Sequence, residues 1–346
     1  MQSAADPTTL DLMAQVIEGF ATEHDELSAV LRPSWAQVPP HLWVDRARAS
    51  FELHAVAAAV RAAAAAYREA DLGVRRSLHA LAELASGAGL LTEGTRMPGL
   101  VDLAPSGRAP TSVGEALAAV SDLGAQQDGR VRVVGVPQPD HATTWIVLIP
   151  GTQSWEPRAG SNPLDVTTDL LAMAGQWTIA ARAVAGALER AQALAGRGTA
   201  RDPVLLVGHS QGGILAMALA ADRSFVARHD VTHVVTAGSP VAGFTPAPTV
   251  HVLSLEHAGD LVPELDLRAN PGGPSWLTIR APVPKGIESA HDSRGYALTA
   301  SGLTRWPVSA DVSAWLAGVD RFFPTRDQPA WISELRMERA WQGRTT

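Results

Sequence analysis

At 346 residues the chain is long for one compact unit and points to one large domain with an accessory segment, or to two domains. An apolar fraction of 46% beside 18% charged fits a soluble globular protein with a sizeable core. The net charge is −7 and Lys285 is the sole lysine, so there is no basic stripe to displace counterions from phosphates, which argues against nucleic acid as a partner and against a polybasic membrane patch. The absence of cysteine excludes a disulfide framework, a thiolate metal site and a cysteine nucleophile.

Residues 1–12 have neither a basic start nor an apolar stretch, so no cleaved signal peptide is expected. No apolar run is long enough for a transmembrane span; the alanine-rich stretch 55–66 is short and contains Arg61. Residues 1–93 read as an α-helical hairpin segment. Met13, Val16, Ile17 and Phe20, then Leu27 and Leu31, recur at three- and four-residue spacing. Pro33, Pro39 and Pro40 break the pattern, and a second helical run follows through Phe51, Val56, Val60 and Tyr67. Residues 94–128, rich in Gly, Pro and Ser, read as a linker with one short helix. That helix opens on the capping-box pair Ser112 and Glu115 and stops at Gly124.

From 129 to 346 strands alternate with helices, which argues for an α/β domain: a mostly parallel sheet with helices on both faces. Strand signals fall at 131–136, 144–150, 204–207, 231–236, 250–255 and 276–279. Asn162 followed by Pro163 predicts the start of a helix running towards Ala195, and a second helix is expected over 211–221. The tail is expected to return to helix, with Ser309 as its cap and Trp315 and Phe322 buried.

The strongest chemical signal is Gly208-His209-Ser210-Gln211-Gly212, a G-x-S-x-G pattern between a buried-strand run and a helical one. A sharp strand-to-helix turn strains the serine and lifts its Oγ above the sheet. Ser210 is therefore the candidate nucleophile, with Gly208, His209 and Gly212 forming the elbow. Such a serine needs a base and an orienting acid, expected later in the chain in the order serine, acid, histidine. Asp260 lies just beyond the 250–255 strand and is the first choice of acid, with Glu256 and Asp266 in reserve. Among the histidines after the serine, His229 and His233 precede the acid and His251 sits in a strand. His257 is too close to Asp260, which leaves His291. For the oxyanion hole, one amide comes from Gln211 and the other from the 150–153 loop, with Thr152 as the expected donor.

These residues together resemble the class 3 lipases, a branch of the α/β hydrolases. The likeness rests on the serine motif, on Thr236-Ala237-Gly238-Ser239-Pro240 with Gly243, on Gly259-Asp260-Leu261-Val262-Pro263, and on Gly151-Thr152. It covers roughly residues 130–300 and implies a Ser210–His291–Asp260 triad acting on carboxylic esters, small or lipid. Pro150 departs from the charged residue usual there, and the surroundings of His291 match less well. Two other functions are compatible with the same residues: a catalytically inactive hydrolase fold used for binding, and an amidase or peptidase.

The N-terminal segment, with Trp35 near its turn and Tyr67 and Asp71 four residues apart, resembles WXG-type proteins of type VII secretion. Gln37 stands where that family has glycine. The resemblance implies export without a cleaved signal peptide and contact of residues 1–93 with secretion machinery or a helical partner; a cytoplasmic location is the alternative. No H-E-x-x-H, P-loop or dinucleotide fingerprint is present, so neither a metal nor a cofactor is expected.

Overall fold

The computed structural model describes residues 98–339 apart from 106, 157–158, 267, 305–308 and 326–327, together with 15, 16, 18, 19, 21–23, 25, 26, 29, 54 and 93. The described positions from 15 to 29 are helical, and His54 Nε2 lies 2.9 Å from Asp25 Oδ2. Tyr67, Asp71 and Trp35 lie outside the described residues.

The strands are β1 (Gly99–Leu103), β2 (Arg130–Pro137), β3 (Thr143–Ile149), β4 (Pro203–His209), β5 (Asp230–Ala237), β6 (His251–His257), β7 (Trp276–Ala281) and β8 (Trp331–Glu338). The helices are α1 (Val113–Ala125), α2 (Val166–Met173), α3 (Ile179–Leu194), α4 (Gln211–Ala221), α5 (Arg223–Arg228), α6 (Ser293–Gly302) and α7 (Ala310–Val319). One sheet holds the strands in the order β1-β8-β2-β3-β4-β5-β6-β7. From β3 to β7 the neighbours are parallel, and β1, β8, β2 and β3 pair antiparallel. This is the mostly parallel sheet expected of an α/β hydrolase.

Alternate residues of each central strand feed two cores, because successive side chains point to opposite faces. Trp145, Val147 and Ile149 with Val204 and Leu206 pack on the face covered by α3 and α4. Ile146 and Leu148 with Leu205 and Val207 pack against α1, α6 and α7. Burial on both faces explains why β3 and β4 read as unbroken apolar runs. Helix α4 is buried over most of its length, which suits a helix of small and apolar residues lodged against the sheet centre.

Three expectations need correction. The stretch expected to be a linker is built into the domain: β1 closes one sheet edge against β8, and α1 lies in the second core. Helix α1 does start as predicted, with Ser112 Oγ accepting from the Glu115 amide at 3.2 Å, but runs one residue past Gly124. The single helix expected over 162–195 is two helices. Asp165, not Asn162, caps α2, and Gly175 at φ +77° ends it in the left-handed conformation that glycine tolerates. The tail does carry α7 behind Ser309, with Trp315 and Phe322 buried, yet it then adds β8 between β1 and β2. Among the described residues, no helix is long and apolar enough to cross a membrane.

Candidate active site

Ser210, Asp260, His291 and Thr152 each lie beyond the carboxyl end of one of the parallel strands, the end at which open α/β sheets gather their working groups. Thr152 follows β3, Ser210 follows β4, Asp260 follows β6 and His291 lies between β7 and α6. Ser210 occupies the one-residue turn between β4 and α4 at φ 53° and ψ −123°. A positive φ in a non-glycine residue costs about 1–3 kcal/mol and persists only where the surroundings impose it. They do so here. The Ser210 amide donates to the Ala237 carbonyl at 2.9 Å, and the turn closes so tightly that a Cβ on Gly208 would lie 2.1 Å from the Gly212 carbonyl carbon. A Cβ on Gly212 would lie 2.0 Å from the Ile149 carbonyl oxygen. The elbow glycines are thus demanded by close backbone approach.

The structure brings Ser210, His291 and Asp260 into one hydrogen-bonded row. His291 Nδ1 lies 2.8 Å from Asp260 Oδ2, and its Nε2 lies 3.0 Å from Ser210 Oγ. A carboxylate only accepts, so Nδ1 carries the proton and Nε2 of the neutral ring is free to accept the serine hydroxyl. Asp260 Oδ2 also accepts the Tyr296 hydroxyl at 2.6 Å, and Oδ1 accepts the Val262 amide at 2.9 Å. Burial pushes the Asp260 carboxyl up, but the His291, Tyr296 and Val262 contacts outweigh it and hold the group below the usual carboxylate range. Glu256 instead binds Arg280 and Asn270, and Asp266 accepts the amides of Gly243 and Arg268.

His209 and His257 each bond to the backbone of the loop that carries His291. His209 Nε2 donates to the His291 carbonyl at 3.1 Å, and His257 Nδ1 donates to the Ala290 carbonyl at 2.8 Å. Burial, then the neighbouring His291, pushes His209 down to about 3, so its ring stays neutral near physiological pH.

Gln211 is the first residue of α4, where backbone amides lack intrahelical acceptors, and its side-chain Nε2 donates to the Asp165 carbonyl at 2.9 Å. The 150–153 loop passes close to the serine: a Cβ on Gly151 would lie 2.9 Å from Ser210 Cβ. The hydroxyl of Thr152, the next residue, donates to Asp169 Oδ2 at 2.8 Å. Burial pushes the Asp169 carboxyl up to about 8. Tyr296 and Asp169 were not singled out in the sequence. Tyr296 is one of only two tyrosines and stands five residues after His291, the only sequence signal it carries.

Chemically, the row can remove a proton from Ser210 Oγ and hold the resulting imidazolium beside a carboxylate. Among the described residues, no group of three or more His, Asp or Glu side chains could hold a metal ion. No curated protein and no solved structure matches the chain. Residues 163–258, which run from just before α2 to the residue after β6, match the family described as the PGAP1-like alpha/beta domain, and that match supports a hydrolase fold and a hydrolase-type function.

Proposed function

We propose that the protein is a serine hydrolase that cleaves carboxylic esters through an acyl-enzyme. His291 Nε2 takes the proton from Ser210 as Oγ attacks the ester carbonyl, and Asp260 holds the ring in the required tautomer and stabilises the imidazolium. The amides of Gln211 and Thr152 are assigned to the tetrahedral oxyanion. The imidazolium then protonates the leaving alkoxide. In the second half a water, deprotonated by the same nitrogen, releases the acid and restores Ser210.

The observation that carries this reading is the 3.0 Å separation of Ser210 Oγ from His291 Nε2 at a serine held at positive φ. A hydrogen-bonded serine on an unstrained loop would be an ordinary polar contact. A strained one, at a strand end and backed by a carboxylate, is arranged for attack. The match to the PGAP1-like alpha/beta domain family agrees with it at the level of the fold. The test is labelling by a fluorophosphonate probe together with turnover of simple p-nitrophenyl esters. Wild-type protein is expected to be labelled and active. Ser210→Ala is expected to lose labelling and about 10⁴- to 10⁶-fold in kcat while keeping its circular dichroism spectrum and melting temperature. Undiminished labelling of the folded variant would refute it.

A further inference from the structure

We propose that Tyr296 is a positioning residue for the base: its hydroxyl fixes the carboxylate oxygen that orients His291 and shares the negative charge on which the imidazolium depends. The inference rests on the serine hydrolase function proposed above.

The phenol is fully buried on α6, and its ring stacks on His257 with centroids 3.8 Å apart and planes 7° from parallel. Its hydroxyl accepts the backbone amide of His257 at 3.0 Å. With that lone pair engaged, its own proton points to Asp260 Oδ2, 2.6 Å away. This is the same oxygen that accepts His291 Nδ1 at 2.8 Å. Oδ2 therefore carries two donors and Oδ1 one, and the carboxylate cannot swing without breaking three bonds. Burial, followed by the Asp260 charge, pushes the phenol far above its ordinary range, so it remains a donor throughout the working pH.

The role follows from competition for one oxygen. A donor on Oδ2 draws charge away from the partner of Nδ1 and lowers the advantage of protonating His291. Removing the donor makes the carboxylate hold the imidazolium more tightly, and strengthening the donor does the reverse. The other groups facing this pair are His209 from β4, whose ring centroid lies 4.7 Å from that of His291, and His257 and Glu256 from β6. His209 and His257 already spend a nitrogen each on the carbonyls of His291 and Ala290. Tyr296 alone among these side chains bonds to the acid.

The chain contains only two tyrosines, Tyr67 and Tyr296, which makes the test clean. In a Tyr67→Phe background, biosynthetic 3-fluorotyrosine replaces Tyr296 alone with a phenol of nearly the same shape that is a stronger donor. Tyr296→Phe removes the donor and leaves the ring. The readout is the pH profile of the fluorophosphonate labelling rate. Tyr296→Phe should move its acid limb to higher pH, and fluorotyrosine should move it to lower pH, each by about 0.3–1 unit, the scale of one altered charge-assisted hydrogen bond. Tyr296→Phe also leaves the His257 amide without its acceptor, so a lower melting temperature is expected and carries no weight. Opposite displacements cannot come from loosened packing. Superimposed profiles, or displacement of both in the same direction, would overturn the role of Tyr296 alone. Labelling that survives Ser210→Ala would overturn the hydrolase function and this role with it.

Discussion

The Thr152 hydroxyl donates to Asp169 Oδ2 at 2.8 Å, and the other oxygen of that carboxyl, Oδ1, is buried without a hydrogen-bond partner. Burial favours the neutral form of this carboxyl and pushes it up to about 8 from an ordinary 3.8. The sign of the stability effect follows. The folded state binds the proton more tightly than the unfolded chain, so stability is lost as pH rises from about 4 and the loss is complete by about 8. Asp169→Asn should therefore be more stable than wild type at pH 8 and equal to it near pH 4, as measured by thermal melts across that range. Catalysis should follow the same titration. Above pH 8 a carboxylate forms beside the residue assigned to the oxyanion, so wild-type labelling should fall there while Asp169→Asn stays level. Parallel decline of both proteins would show that Asp169 is not the titrating group.

His291→Ala and Asp260→Asn should both slow labelling, the first more than the second. An Asn at 260 can present its NH₂ to Nδ1 and favour the wrong imidazole tautomer, a change that costs about 10⁴-fold in comparable triads. Glu256→Gln is the control, because Glu256 is the other acid at the end of β6 and binds Arg280 at 2.8 Å. It should cost stability and leave the labelling rate close to wild type. A slow Glu256→Gln beside a fast Asp260→Asn would reverse the assignment of the acid.

Arg339 and Asp165 form a buried ion pair, with Nη1 to Oδ2 at 2.6 Å and both side chains fully covered. Asp165 also caps α2, through the Thr168 amide, and its carbonyl accepts Gln211 Nε2. Arg339→Ala should destabilise the protein by about 3–5 kcal/mol, the usual consequence of leaving one buried charge without its partner. The double variant Asp165→Asn, Arg339→Met should lose less than Arg339→Ala, because no orphan charge remains. Denaturant melts of the three proteins decide it. A double variant that loses as much as Arg339→Ala would show that an orphaned charge is not what destabilises the single variant.

Gly238 follows β5 at φ +59°, and a Cβ there would lie 2.9 Å from Tyr296 Cε2, 3.0 Å from Asp260 Oδ2 and 3.1 Å from His291 Nδ1. Gly238→Ala should cost about 1–3 kcal/mol in backbone strain. It should also reduce labelling at temperatures where the variant is still folded, since the methyl group intrudes on the acid–base pair. Full labelling of the folded variant would mean that the pair tolerates displacement.

Much of the site was legible in the sequence because its parts are local patterns. The turn that carries Ser210 announces itself through glycines that flank a serine between an apolar strand and a helix of small residues, and Asp260 and Thr152 follow strand signals. His291 was reached only by order and elimination, since a loop histidine carries no periodicity of its own. The helical break at Gly175 was missed because Asn162-Pro163 is a stronger start signal than Asp165, although it is Asp165 that makes the capping bond to Thr168.

What the sequence by itself determined is the set of elements whose signal is short-range: the unbroken apolar runs of β3 and β4, the glycine-flanked turn at Ser210, and the caps at Ser112 and Ser309. What only the tertiary structure decided depends on pairing across long stretches of chain. Strand β8 has no strong apolar run, and it becomes a strand because β1 and β2 offer it two edges and because Glu334 meets Arg132 at 2.8 Å across the sheet. Tyr296 looks like any helical tyrosine until α6 lays it against Asp260, 36 residues away in the chain. Asp169 looks like an ordinary helix carboxylate until the fold buries it beside Thr152, and its proton affinity is a property of that burial. Pairing energies and desolvation arise only when distant residues meet, which is why the order of strands, the second donor on Asp260 and the titration of Asp169 belong to the fold and not to any local run of residues.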